Sequence, residues 1–423
     1  MTARSKTHRF PNGWRCVFVF SLLLFVRGDL IKAGPKEERS AALFTFRGAE
    51  NKIVSECIYR PKPEDVEWGI LAGLARELGP DYAKYFPEEL AGPVVDPERA
   101  YDFTLSRLQN ELKIPPKTLI TRSLRAYCRT IDRYSGYDDF ETYMRWVEAG
   151  KFNLVGIGVA FMEPKKGEGF IVYPFPDGPA ERSGIVGGDY LLEADGTSVK
   201  GMSKVEVFTA CQGKAGTKVT IKVRHADTSE ESFPVIREKV TTSPLVVEQT
   251  PSGMRVVCRN LISNQSLEDF RKLLQTRRNG EALTIDLRGC IGGDVNAAVG
   301  LASLFLPADT VIGKLETVKG QEKLISTNKA PYHPSKLIIL QDRLTVSAAE
   351  LVIVALVANR NLSVETRGER TYGKGVTQRE VKIFADDKRT TTAGILTITD
   401  ARMYGPNNEV WDGEGLAPMV EAK

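Results

Sequence analysis

The sequence predicts a multidomain chain of mixed α+β and α/β architecture, with a helical N-terminal region, a β-rich middle module and a C-terminal α/β core on a parallel sheet. Three patterns predict it. From about 62 to 150, Leu71, Leu74 and Leu78, then Leu119, Leu124, Tyr127 and Ile131, recur mostly at three- and four-residue spacings, the period of amphipathic helices. At 153 the glycine-punctuated run from Asn153 to Phe161 opens a series of short strands and turns. Beyond about 239, two strand–turn–helix units follow one another, as parallel strands with crossover helices do. A length of 423 residues accommodates two or three such domains.

The helical region, assigned to 34–152, follows a segment of different character. Arg4, Lys6, Arg9 and Arg15 precede the apolar run from Cys16 to Val26, which Arg27 closes. That run is too short to cross a bilayer comfortably, since a spanning helix needs roughly 20 apolar residues. Residues 1–33 are therefore expected to form a secretory signal peptide, with Ile31-Lys32-Ala33 as the cleavage region. Left uncleaved, the same segment would be a membrane anchor. Either way the remainder is expected in an extracytoplasmic compartment, periplasmic or secreted.

Removing this segment takes away six Lys/Arg and one Asp, so the formal net charge of +4 falls to about −1. The basic balance thus belongs to the leader, and no nucleic-acid partner is expected. Cys57, Cys128, Cys211, Cys258 and Cys290 remain, an odd number without Cys-x-x-Cys spacing, which suggests neither a disulfide framework nor a zinc site. The only histidines are His8, His225 and His333, so no metal cluster is readable and no cofactor is expected. Any serine chemistry would lean on a lysine base.

The middle module, 153–238, runs through the strand Phe170 to Tyr173, the turn Asp177-Gly178-Pro179, the strand Tyr190 to Leu192 and the alternating strand Lys218 to Arg224. In the core, 239–423, the strand Ala282 to Asp286 turns at Gly289 to Gly293 into a helix. A second strand, Lys336 to Leu340, turns at Asp342 to Thr345 into a helix that starts at Ser347. Ligands of α/β sheets gather at the carboxyl ends of the strands, so both turns are candidate site elements.

Ser347 opens a helix that is apolar nearly all round, from Leu351 to Val357, so that helix is expected to be buried and its start fixed. A hydroxyl there sits beside unpaired backbone N–H groups and the positive end of the helix dipole, where a developing oxyanion is stabilised. The same position suits a Ser347 or Thr345 that merely caps the helix. Lys374 lies between Gly373 and Gly375, whose lack of side chains lets another element approach closely. A lysine packed into a protein wall loses hydration and can take a proton near neutral pH. Four residues on, Gln378 would share a strand face with it and orient the amine. An ordinary surface lysine in a hairpin fits the local pattern as well.

Taken together the motifs resemble the carboxyl-terminal processing (tail-specific) protease family over roughly 95 to the end. Asp286-Leu287-Arg288-Gly289-Cys290-Ile291-Gly292-Gly293 is similar to its Asp-Leu-Arg-x-Asn-Pro-Gly-Gly segment, with Cys290-Ile291 in place of Asn-Pro. Thr345-Val346-Ser347-Ala348-Ala349-Glu350 resembles its nucleophile run, with Ala349 in place of a serine. Gly368 to Gln378 resembles its Gly-Glu-x-Thr-Phe-Gly-Lys-Gly-x-x-Gln, and Asp412 to Pro418 its usual close. Asp132-Arg133-Tyr134-Ser135-Gly136-Tyr137 resembles its Leu-Asp-Pro-x-Ser-x-Tyr.

The resemblance implies a PDZ-like peptide-binding module at 153–238 and a protease core of the ClpP/crotonase-like type. It implies an exported serine endopeptidase with Ser347 as nucleophile, Lys374 as general base and Gln378 orienting it. Backbone N–H groups of Ala348 and of Gly292 or Gly293 would bind the oxyanion. Gly156, Ile157, Gly158 and Val159 would receive the C-terminal carboxylate of a flexible protein tail, which joins the module as an extra strand. The helical region, whose apolar faces exceed the needs of one small bundle, would pair two subunits as a homodimer. Arg224, at the end of its strand, is a candidate contact between module and core. A non-catalytic peptide-binding scaffold that retains the fold is the alternative.

Overall fold

The computed structural model describes residues 35–86, 96–151, 155–162, 169–175, 178–240, 245–250, 253–258, 261, 264–277, 280–329 and 331–421. The expected signal segment lies outside the described residues. No described helix is long and apolar enough to cross a membrane.

The N-terminal part is built from the helices Pro35–Glu56, Pro63–Leu78, Pro97–Leu112 and Pro116–Ile131. Each opens on proline, whose missing N–H would have had no intrahelical partner and whose fixed φ suits a first turn. Gly69 and Gly73 let Pro63–Leu78 approach Pro116–Ile131 closely, since a Cβ on Gly69 would come 2.2 Å from the Tyr127 ring. Phe46, Ile70, Leu74, Leu105 and Leu124 form the bundle core, which Ile383, Leu396 and Ile398 complete from the far end of the chain. These three belong to the long hairpin of Val376–Phe384 and Thr392–Tyr404. The strand Gly136–Asp139 also pairs antiparallel with Thr392–Tyr404, Gly136 opposite Thr397. Part of the apolar excess read from the helices is thus met within the chain, by its own C-terminal hairpin. Periodicity reveals an apolar face but not its partner.

The middle module is a sheet in the order Val159–Met162, Phe170–Pro174, Asp189–Ala194, Lys218–Arg224, Glu230–Ile236. Its core takes Val219, Ile221 and Val223 from alternate positions of one strand, with Phe161, Val172 and Val207. Ser203 and Glu206 close a capping box on the helix Lys204–Cys211. Val155–Gly156 pairs with Glu238–Lys239, so the chain enters and leaves the module side by side.

The core has two sheets. In one, the strands Gly253–Cys258, Leu283–Asp286, Leu337–Gln341, Val364–Gly368 and Val420–Glu421 run parallel, and Leu245–Thr250 joins antiparallel at the edge. The other is antiparallel and carries the long hairpin. Between them lies the helix Ala348–Val357, buried at every residue from Ala348 to Leu356. A helix that is apolar nearly all round needs cover on every side, and the two sheets together with the helix Val295–Ser303 provide it.

Candidate active site

The turns that follow Leu283–Asp286 and Leu337–Gln341 leave adjacent parallel strands and are tied to each other. Val346 N–H donates to the Cys290 carbonyl at 2.9 Å, and the Thr345 hydroxyl to the Leu287 carbonyl at 2.9 Å. The Asp342 carboxylate accepts Gly289 N–H at 3.0 Å. Cys290 is buried, and its carbonyl does the joining, so the shape of the turn is held without the Asn-Pro pair.

Ser347 has φ +58° and ψ −120°, a strained conformation for a residue with a side chain. Such a backbone costs roughly 1–3 kcal/mol and persists only where its surroundings impose it. Here the buried helix behind it and the hydrogen-bonded turns before it do so. Gly292, at φ +83°, must be glycine, because a Cβ would come 2.6 Å from Val346 O, 3.0 Å from Ser347 Cβ and 3.2 Å from Ala348 N. The Gly292 backbone therefore lies against the turn that carries Ser347, beside the first N–H of the helix. Among the described residues no backbone carbonyl accepts the N–H of Gly292 or of Ala348. Gly293 packs the other way, against Leu261, whose carbonyl accepts Asp294 N–H at 2.8 Å.

Lys374 lies in an irregular segment just before Val376–Phe384. Its flanking glycines admit the terminal loop: Gly413 N–H donates to Gly373 O at 2.9 Å, Gly375 N–H to Asp412 Oδ1 at 2.9 Å, and Trp411 Nε1 to Lys374 O at 3.2 Å. Lys374 Nζ donates to Gln378 Oε1 at 2.5 Å and stands 4.8 Å from the centre of the Tyr134 ring. Gln378 Nε2 donates to the Tyr134 carbonyl, which fixes the amide with its oxygen toward the lysine. The contact has a different origin from the shared strand face expected of residues four apart. Lys374 precedes the strand, and the strand shifts register between Thr377 and Gln378.

Glu350 joins these parts and had no role in the sequence reading. Its side chain is fully buried. Oε2 accepts Ser347 N–H and Lys374 N–H, each at 2.8 Å, so those two nitrogens are at most about 6 Å apart. Oε1 accepts the Thr371 hydroxyl at 2.6 Å and Gly373 N–H at 2.7 Å. Burial pushes the Glu350 carboxyl above the ordinary glutamate range, against four hydrogen bonds that favour the carboxylate. All four partners donate, and the Thr371 oxygen also accepts Leu416 N–H, so the geometry suits the ionised form. The spacing Ser347-x-x-Glu350 is a capping-box pattern and was the available signal.

In the middle module, the carbonyls of Ile157 and Gly158 accept N–H from Ala180 at 2.9 Å and Phe175 at 2.8 Å. Gly158 has φ +70°, and a Cβ there would come 2.9 Å from Pro179. Val159–Met162 is an outer strand of its sheet. Ala160 and Tyr173, on the face opposite the module core, pack on Val346, with Ile171, Phe175, Leu344 and Tyr372 around them. The module therefore sits on the residue that precedes Ser347. Arg224 is exposed, and its guanidinium lies 5.3 Å from the Tyr190 ring of its own module.

The architecture and the site define a peptidase core preceded by a PDZ module. Residues 257–422 match Peptidase family S41 and residues 170–225 match PDZ domain. The carboxy-terminal processing protease CtpA of Bacillus subtilis (strain 168) is 28% identical over 294 residues, covering 69% of this chain and 61% of that protein. A probable CtpA-like serine protease of Staphylococcus aureus (strain COL) is 29% identical, covering 68% of this chain and 57% of that protein. The match thus spans about three fifths of these relatives' length. The photosystem II D1 C-terminal processing protease shares the fold, with a TM-score of 0.66 at 20% identity over 90% of this chain and 93% of that one. Residues 257–422 thus carry a serine peptidase domain of family S41 behind a PDZ domain, and the chain is similar to the carboxy-terminal processing proteases.

Proposed function

We propose that the chain is an exported serine endopeptidase that binds flexible C-terminal tails of proteins and cleaves them by acylation of Ser347. The observation that carries this reading is the Glu350 carboxylate, which holds the backbones of Ser347 and Lys374 on one oxygen while Gln378 holds the Lys374 amine. In the first step Ser347 Oγ attacks the scissile carbonyl carbon and its proton passes to neutral Lys374 Nζ. The N–H groups of Ala348 and Gly292 meet the oxyanion. The C–N bond then breaks as Lys374 returns the proton to the leaving amine, and water releases the acyl group by the same path reversed.

The tail would add to the open edge of Val159–Met162, its carboxylate received at Gly156 to Val159. Ala160 of that strand also packs on Val346, so tail binding and the position of the nucleophile turn are linked. A peptide with a free apolar C-terminus is expected to raise turnover of a second substrate lacking such a tail, by about tenfold for a typical coupling. The amidated peptide should not. Equal rates with free, amidated or no peptide would reduce the module to a tether.

The basic, then apolar N-terminus supports export to a periplasmic or external compartment. For assembly we propose a homodimer, with Phe103 and Leu112 as the contact, since both remain exposed on Pro97–Leu112. Light scattering should give twice the monomer mass for the full chain and a monomer for Phe103→Asp; a monomeric full chain would end the proposal.

A further inference from the structure

A lysine that serves as a base has to lose its proton, and the backbone around Lys374 works against that. Glu350 Oε2 lies 2.8 Å from Lys374 N, and Asp412 Oδ1 lies 2.9 Å from Gly375 N. Both carboxylates favour the ammonium form. Of the other groups near Lys374, Tyr134 is neutral, because burial pushes its phenol well up. The Tyr372 side chain packs toward the module. The cation on this side is Arg133. Its guanidinium stands 4.7 Å from the centre of the Tyr134 ring and 5.0 Å from that of Tyr372, and it donates to Gly373 O at 3.1 Å and to the Tyr134 hydroxyl. Lys374 Nζ lies on the same Tyr134 ring at 4.8 Å, so the two cationic groups are at most about 10 Å apart.

Arg133 stands where the related motif has proline, so the family pattern gives it no part. We infer that Arg133 is a positioning residue for the base: sharing the Tyr134 ring with Lys374, it offsets Glu350 and Asp412 and holds the Lys374 amine in its neutral, proton-accepting form. This rests on the Ser347/Lys374 reading. A unit charge at about 10 Å in a half-buried site shifts a neighbouring equilibrium by about one pH unit. Removing a cation favours the ammonium, so the shift is upward.

The test is the pH dependence of kcat/KM on an unstructured substrate, together with the rate at which a fluorophosphonate labels Ser347. For Arg133→Met the ascending limb of both should move up by about one pH unit, costing about tenfold on the acid side. The alkaline plateau should fall much less. Arg133→Lys restores the charge without the planar fork and should return the limb most of the way. If Arg133→Met does not fold, Arg133→Gln takes its place. A loss of equal factor at every pH, or an unmoved limb, would show that Arg133 only packs the segment and would overturn the inference. Failure of the underlying reading looks different: Lys374→Ala would then keep its activity and label Ser347 at the normal rate.

Discussion

Ser347→Ala and Lys374→Ala are each expected to abolish cleavage of an unstructured protein while leaving the fold intact. Groups that act as one unit in acyl transfer cost nearly the whole acceleration when either is lost, on the order of 10⁴-fold or more in kcat. Neither change empties a core position, because both side chains are only partly buried. Thermal midpoints should accordingly stay within a few degrees of the parent. Gln378→Ala should cost less, since it removes the group that holds the amine and not the amine itself. Chelators should have no effect, for the described residues contain no group of ligands able to hold a metal. Full activity of Ser347→Ala, or strong inhibition by EDTA, would refute the assignment.

The second large effect is expected at Glu350. Alanine there leaves the N–H groups of Ser347, Gly373 and Lys374 and the Thr371 hydroxyl facing a cavity. Each orphaned buried donor costs about 1–3 kcal/mol, partly offset because a buried charge goes as well, so a net loss of about 3–5 kcal/mol follows. Denaturant midpoints should show it. Glu350→Gln separates stability from catalysis, because it keeps the volume but turns an NH₂ toward two donors. Its unfolding midpoint should fall less than that of the alanine variant, while activity falls at least about 10²-fold as Ser347 and Lys374 lose their common anchor. Parental activity in Glu350→Gln would mean that the two segments are held by something else.

Much of this site was readable because its chemistry is local in sequence. The apolar run from Leu351 to Val357 announces a buried helix and so a fixed Ser347, and the glycines beside Lys374 announce a close approach, which the loop from Trp411 to Gly415 makes. What was not readable depends on distant backbone. Gln378 is fixed by the carbonyl of Tyr134, 244 residues away, and a main-chain acceptor leaves no mark on residue type. The bundle's apolar faces were visible, yet only the fold assigns Ile383, Leu396 and Ile398 to cover them. Arg224, a candidate contact with the core in the sequence, is exposed and lies over the Tyr190 ring of its own module, a partner that strand spacing does not announce.

The pairing of Gly136–Asp139 with Thr392–Tyr404 bears on the order in which the molecule can be made. The helix Pro35–Glu56, synthesised first, keeps one apolar face unfinished until Ile383, Leu396 and Ile398 have emerged. Contacts that close loops of this length form late and slowly. The N-terminal helices therefore cannot mature as an independent unit during synthesis, and the chain stays incompletely folded until nearly all of it is present. Nascent chains stopped before residue 376 should expose this apolar face and be readily digested at the helices, in a way the finished protein is not.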